Sequence, residues 1–377
     1  MRIALVHSFY RSDSPSGENA VVLSQAARLE KMGHVVRVFG ANSDDLNFID
    51  KAKLPWNVAF FRGKSLESEI ATFGADLIHI HNLFPNIGFS WMTKLNIPVI
   101  ATFHNFRPFC ANGLLSRDSS ACTDCLDLGS SRSLLHGCYK NSRIKTLPLT
   151  VATRQSGSHN PLLKIASKII VLSEHSAHIY GGQIVNPERI RVLPNFSERL
   201  APARDLVSRD YWLFVGRLSS EKGIEELLKA WPAGKTLLVY GSGELENYLK
   251  ELYKTNLHIK FMGYLDQRSK ADVFNGCKAL VFPSTCFETS PLVMSEAFSI
   301  GRPIIAYSKN IVGMHIEKFG GGVTFSEFEG IPDAIRSLQS DEQGHSEKAS
   351  WNYETFYSPE IWSRKLTAYY LEALKEF

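Results

Sequence analysis

Leu280-Val281-Phe282-Pro283, followed by Glu288-Thr289-Ser290-Pro291-Leu292-Val293-Met294-Ser295-Glu296 and closed by Gly301-Arg302-Pro303, reads as a strand, a loop and a helix. The apolar run is of the kind that a parallel sheet buries on both faces. Ser290 is expected as the N-cap and Pro291 as the first helical residue, with Gly301 and Pro303 ending the helix. Glu288 then sits in the loop before the helix and Glu296 on its second turn. Both lie at the carboxyl end of a strand, where open α/β sheets bind ligands. Taken alone, two glutamates so spaced read first as a loop residue and a helix-face residue in water. The strand before them and the helix start between them favour a ligand with hydroxyls for the carboxylates and phosphate for the free N–H groups, as a nucleotide diphosphate sugar has.

Working outward, the same alternation of short strands and amphipathic helices fills the chain, the signature of βαβ units. The first half is expected to hold strands at Ile3–Val6, Val35–Phe39, Leu77–Ile80, Val99–Thr102 and Ile169–Leu172, with a helix over Ala20–Met32 ended by Gly33. A second series runs through Leu213–Val215, Thr236–Tyr240, Ile259–Met262, Ala279–Phe282 and Ile304–Ala306. Between them, from Asn195 to Ser208, Pro194, Ser197, Pro202 and several charges break the apolar rhythm, which marks a domain boundary. Ser340–Tyr353 is polar with weak periodicity, and Ser358–Phe377 reads as a closing helix.

A chain of 377 residues, 44% hydrophobic and 21% charged, is long enough for two cores, and its net charge of +4 does not by itself point to nucleic acid. No apolar stretch approaches the roughly 20 residues that span a bilayer, and the opening Arg2–Val6 run is too short for a signal peptide, so a cytoplasmic location is expected. Leu128–Ser173 lacks Asp and Glu but carries Arg132, Lys140, Arg143, Lys145, Arg154, Lys164 and Lys168 among leucines. Segment 132–168 is therefore either a solvated basic face or a peripheral contact with the anionic inner face of the plasma membrane.

Chemistry-bearing residues gather at the expected strand ends. Gly216-Arg217 and Lys222 follow a strand and can offer a tight turn, a fork and a point charge to phosphate oxygens. Gly241-Ser242-Gly243 adds a permissive loop at the same rim, and Ser16-Gly17-Glu18-Asn19 opens the first helix. The latter lacks the three glycines of a dinucleotide fingerprint, which disfavours NAD. His104 follows a strand closely, whereas His79 and His81 share one strand face without a nearby acid and read as structural. No Asp-x-Asp pair stands at a strand end to hold a divalent ion, so leaving-group charge is expected to fall on Arg217, Lys222 and helix dipoles. Cys110, Cys122, Cys125 and Cys138 include one C-x-x-C, open to a structural zinc, to reduced buried thiols or to disulfide use, with zinc the favoured reading.

Together these stretches resemble glycosyltransferase family 4, retaining transferases of the two-domain GT-B fold. The likeness is carried by Ser16–Asn19, Lys31–Val38, Asp76–Asn82, Thr102-Phe103-His104, Val192–Asn195, Gly216-Arg217-Leu218 with Glu221-Lys222-Gly223, and the Glu288–Glu296 pair. It implies an α/β architecture of two Rossmann-like domains facing across a cleft. Residues 1–196 would form the acceptor side, with a cysteine-containing segment at 104–145. Residues 197–355 would bind a UDP- or GDP-sugar, and helix 356–377 would return to the first domain. It implies that Glu288 holds donor-sugar hydroxyls and Glu296 the ribose. Arg217 and Lys222 would bind the diphosphate, and Gly216, Gly241, Ser290, Pro291 and Leu292 would line the donor. Gly17 would let the first loop approach it, and His104 would contact the transferred sugar. The expected activity is metal-independent, retaining transfer of a hexose to a glycan or lipid-linked glycan in surface polysaccharide assembly, without nucleic acid. A sugar-nucleotide epimerase of related fold and a non-catalytic sugar-nucleotide-binding subunit are the alternatives.

Overall fold

The computed structural model describes every residue except 11–16, 119, 155–158 and 202–209. It divides into two compact units. The first comprises Met1–Leu115, Cys122–Pro194 and Ser363–Phe377, and the second Ser116–Ala121 and Asn195–Trp362. Ser16, read above with Gly17, and Pro202, read at the domain boundary, lie outside the described residues.

The first unit is built on β1 (Arg2–Phe9), β2 (Val35–Asn42), β3 (Leu77–Asn82), β4 (Val99–Phe103), β7 (Lys168–Val171) and β8 (Ile190–Val192), in the order β2-β1-β3-β4-β7-β8. Every pairing is parallel. Ile3 to Val6 are fully buried, as a strand covered on both faces requires. A short antiparallel pair, β5 (Ser116–Arg117) and β6 (Ser120–Ala121), stands apart from both sheets.

The second unit carries β9 (Tyr211–Val215), β10 (Thr236–Tyr240), β11 (Ile259–Gly263), β12 (Leu280–Phe282), β13 (Ile304–Tyr307) and β14 (Gly322–Phe325), all parallel, in the doubly wound order β11-β10-β9-β12-β13-β14. Residues of β9 alternate between two cores, Trp212 and Phe214 in one and Tyr211 and Leu213 in the other. A continuous apolar run is thereby consumed on both faces of one sheet.

Three expectations change. Ser290 does not cap the helix: the helix is Leu292–Ser299 with Pro291 at the cap, and Ser290 Oγ instead accepts from the Asn195 amide at 3.0 Å. The edge strands β8 and β14 were not foreseen because they lack an apolar run: Ile190 to Val192 are all half-buried, and β14 pairs half-buried Val323 and Thr324 with buried Gly322 and Phe325. The weakly periodic polar stretch is a helix, Glu342–Asn352, running into a π-turn at Tyr353–Tyr357. Its fully buried Asn352 donates to Gly320 O at 3.0 Å and bonds His315 Nε2 at 2.8 Å.

The closing helix is Pro359–Glu376. From Ser363 it packs within the first unit, where Tyr370 OH lies 2.7 Å from His79 Nδ1 and Arg191 Nη2 2.7 Å from Glu372 Oε2. Lys168 is buried and donates to Glu376 Oε1 at 2.5 Å, so this cation of the basic segment serves the fold and not its surface. No helix among the described residues is long and apolar enough to cross a membrane.

Candidate active site

In the second sheet the strand order turns back between β9 and β12, the kind of switch point at whose carboxyl ends open α/β sheets bind ligands. Gly216, Arg217 and the Ser220–Lys222 turn follow β9, and Ser284 to Ser290 follow β12. The two loops are tied together: Thr285 N donates to Glu221 O at 3.0 Å. Lys222 Nζ pairs with Glu288 Oε1, and Ser284 Oγ donates to the same oxygen at 3.1 Å. Burial works against the Lys222 ammonium, but the Glu288 carboxylate beside it outweighs that effect and raises its pKa. Asn310 braces the loop, its Nδ2 donating to Ser284 O at 2.8 Å while its Oδ1 accepts from Val312 N and Gly313 N.

Glu296 faces Lys270, with 2.7 Å between Nζ and Oε1 and both side chains 14% exposed. Lys270 carried no signal in the sequence reading, since it comes from the separate helix Gln267–Gly276. Ser284, Asn310 and Asn195 also act here without any role read for them beforehand. Arg217 is 65% exposed, its guanidinium 4.0 Å from Glu221 Oε1, which leaves its other donors open to an incoming anion.

The glycines set how closely the loops approach. Gly241 has φ +133°, and a Cβ there would lie 1.8 Å from Gly216 O, so its place is decided by backbone contact with the loop after β9. Gly241→Ala is therefore expected to destabilise the second unit by about 2 kcal/mol or more. Calorimetry on the intact protein checks this; an unchanged melting profile would remove the steric argument.

In the first unit, His7, His81 and His104 come from the ends of β1, β3 and β4, with His79 one turn of the pleat below. His81 Nδ1 lies 3.0 Å from His104 Nε2, and His79 bridges Tyr370 OH and Thr102 Oγ1, at 2.7 and 2.8 Å. Burial pushes His79 and His104 down to about 3 and His81 well below its ordinary value, with neighbouring histidines adding to the effect at the latter two. His104 is thus a neutral ring, suited to hydrogen bonding and not to carrying charge. Gly17 begins the helix Gly17–Lys31, and a Cβ there would meet nothing within 4 Å. Beside it Glu18 has a buried, unpartnered Oε1, and burial, opposed by Arg107, raises its carboxyl to about 7. His104 and Arg107 line one cavity with Asn82, Phe84 and Leu149. A wider, more polar opening bordered by Asp45, Asp50 and Lys64 shares Asn57 and Arg62 with it.

The zinc expected at Cys110, Cys122, Cys125 and Cys138 is not supported. No group of three or more His, Cys, Asp or Glu among the described residues is arranged to hold a metal ion. Cys110 Sγ donates to Asn112 Oδ1 at 3.0 Å, and burial, with the neighbouring Cys110 and Cys138, pushes the Cys125 thiol up to about 12. All four are free thiols, Cys110 and Cys125 buried and Cys122 and Cys138 half-buried.

Residues 15–197 match the family model described as Glycosyltransferase Family 4, and residues 204–355 the one described as Glycosyl transferases group 1. An uncharacterised glycosyltransferase of Methanocaldococcus jannaschii is 24% identical over 270 residues, which span 68% of this chain and 63% of that protein. The phosphatidyl-myo-inositol mannosyltransferase of Mycobacterium tuberculosis is 23% identical over 332 residues, 81% of this chain and 77% of that one. Among solved structures, sucrose-phosphate synthase of Thermosynechococcus elongatus superposes with a TM-score of 0.73 over 100% of both chains at 17% identity. Anabaena HepE, solved with UDP and glucose, gives 0.66 at 16% over the same full coverage.

Proposed function

This chain has the α/β GT-B fold and belongs to the glycosyltransferases, and we propose that it moves a hexose from a UDP- or GDP-sugar to a glycan or lipid-linked glycan, with retention of configuration and without a metal ion. The observation that carries this reading is the Lys222–Glu288 pair at the turning point of the second sheet. Glu288 would grip hydroxyls of the sugar, with Ser284 holding its carboxylate in place. Lys222, already at Glu288, would bridge to the diphosphate, joined by Arg217 from solvent and by the N-terminus of helix Leu292–Ser299. Glu296, held by Lys270, would accept from the ribose. Charge on the departing diphosphate is then met by fixed cations and dipoles. In the first unit, His104, neutral, would bond a sugar by hydrogen bonding alone, and Gly17 leaves open space at the start of its helix.

The acceptor would be part of a surface polysaccharide under assembly, and the protein would act in the cytoplasm at the inner membrane face. Exposed Lys140, Arg143, Lys145, Arg154 and Lys164 support that contact, with Lys168 excluded by burial. The deciding assay supplies UDP- and GDP-hexoses with and without a lipid-extracted acceptor, in excess EDTA, and assigns the product anomer by NMR. Acceptor-dependent release of nucleoside diphosphate with a retained anomer is the expected result. An isomerised donor without acceptor would make the protein an epimerase, and donor binding without any turnover would make it a binding subunit.

A further inference from the structure

Two charged side chains of the first unit lack partners that buried polar atoms require. Glu18, on the first turn of helix Gly17–Lys31, keeps a buried Oε1 with no hydrogen bond among the described residues. Arg107, just beyond the end of β4, donates Nη1 to Ala111 O at 3.2 Å and stacks 4.1 Å from the centre of the Phe84 ring. Its Nε, however, is buried and equally without a partner. Arg107 acts on the Glu18 carboxyl through charge alone. Tyr10, next after β1, accepts from Asn82 Nδ2 at 3.1 Å, at the end of β3, and feels the charge of both Glu18 and Arg107. All four thus stand at the carboxyl ends of β1, β3 and β4, with His104 on the same rim, where open α/β sheets take ligands. A buried carboxylate oxygen and a buried guanidinium N–H left open are each costly. One small group satisfies both: a hydroxyl, which donates to the first and accepts from the second.

Resting on the glycosyltransferase reading, we infer that this group is the acceptor's reacting hydroxyl and that Glu18 is its general base, with Arg107 Nε donating to the hydroxyl oxygen. The O–H bond breaks and its proton passes to Glu18 Oε1, while the oxygen's electron pair bonds the anomeric carbon of the transferred hexose. The bond from that carbon to the diphosphate breaks, and its electron pair leaves with the diphosphate. Burial, opposed by Arg107, raises the Glu18 carboxyl to about 7, where a base is ionised in good part and still holds a proton well. The neighbouring groups do not compete for that proton. Burial first, and Glu18 after it, push Tyr10 up to about 12, so it stays protonated. His7, from β1, has its value lowered by burial and is bonded at 2.9 Å to Asn19, beside Glu18.

The test is the pH profile of transfer by the full chain from UDP- and GDP-hexoses to the lipid-extracted acceptor, with donor affinity measured calorimetrically on each variant. Native kcat is expected to rise with pH to a plateau, with a midpoint near 7, since Glu18 must be ionised to take the proton. Glu18→Gln should lower kcat by about a hundredfold, flatten that rise and leave donor affinity unchanged. Glu18→Asp should recover part of the loss. Arg107→Gln removes the charge that holds the carboxyl down, so it should move the midpoint above 7; it serves if Glu18→Gln does not fold. A Glu18→Gln enzyme at the native rate would make the missing group a resident water only and overturn the inference. A loss that tracks donor affinity, or a pH rise that persists without Glu18, would overturn it as well. Donor binding with transfer to no acceptor sinks the transferase reading and the inference together, whereas transfer blind to Glu18 sinks the inference alone.

Discussion

Glu288→Gln is expected to lower sugar transfer by about a thousandfold. The substitution keeps the side chain's shape and its bond from Ser284 but removes the charge that holds Lys222. Two functions fail together, since the neutral amide grips sugar hydroxyls less well and the freed ammonium no longer has a fixed position from which to meet the diphosphate. The loss should appear mainly in kcat, because both contacts strengthen as charge develops on the leaving group. Glu288→Ala goes further by leaving Lys222 largely buried and unpaired, at a cost on the order of 2 kcal/mol once partial exposure is discounted. Combining it with Lys222→Ala should restore the melting temperature and leave transfer abolished. Steady-state kinetics with a calorimetric scan on each variant checks both; a Glu288→Gln enzyme turning over at the native rate would take Glu288 out of the mechanism.

Below pH 6.5 the first unit is expected to lose stability steeply. His79, His81 and His104 are held neutral by burial, two of them down to about 3, whereas in the unfolded chain they take up protons at their ordinary value. Depressed folded-state values mean that the stability they permit is complete above the unfolded pKa of about 6.5 and is lost as pH falls toward the folded values. Each group contributes up to about 1.4 kcal/mol per pH unit in that window. Glu18 acts in the opposite sense. Its carboxyl, raised to about 7 from 4.5 by burial, weakens the fold as pH rises between those values, so it offsets part of the histidine effect and not all of it. Calorimetry from pH 8 to pH 5 should show the first-unit transition falling further than the second, where burial also lowers His315, to about 4, and His345, and His81→Gln should make the first-unit fall shallower. A first-unit transition level across that range would mean that the histidines titrate normally.

The two sheets were legible because their strands are apolar on both faces: the runs at Ile3–Val6 and Thr236–Tyr240 lie inside β1 and coincide with β10. Edge strands β8 and β14 were not, because half-exposed strands dilute the signal with Arg191 and Thr324. At the site, Glu288 and Lys222 could be named from their own loops, but their pairing is tertiary, and Lys270 against Glu296 is wholly so. Ser290 shows the limit of local capping rules. A serine before a proline reads as a cap, yet a distant amide from Asn195 took its hydroxyl and the helix began later. Lys168 is similar: its neighbours in sequence made it part of a basic surface, and acids from the closing helix drew it inside. The cysteine spacing suited zinc, while the fold set the thiols against Asn112 and each other.

Isothermal titration of the intact protein with a panel of UDP- and GDP-sugars tests the donor site most directly. The account predicts that at least one binds in the micromolar range, and that binding is lost in Glu296→Ala and weakened by Arg217→Ala while both variants keep two cooperative melting transitions. Failure of every nucleotide sugar to bind the folded protein, or tight binding indifferent to both substitutions, would contradict it.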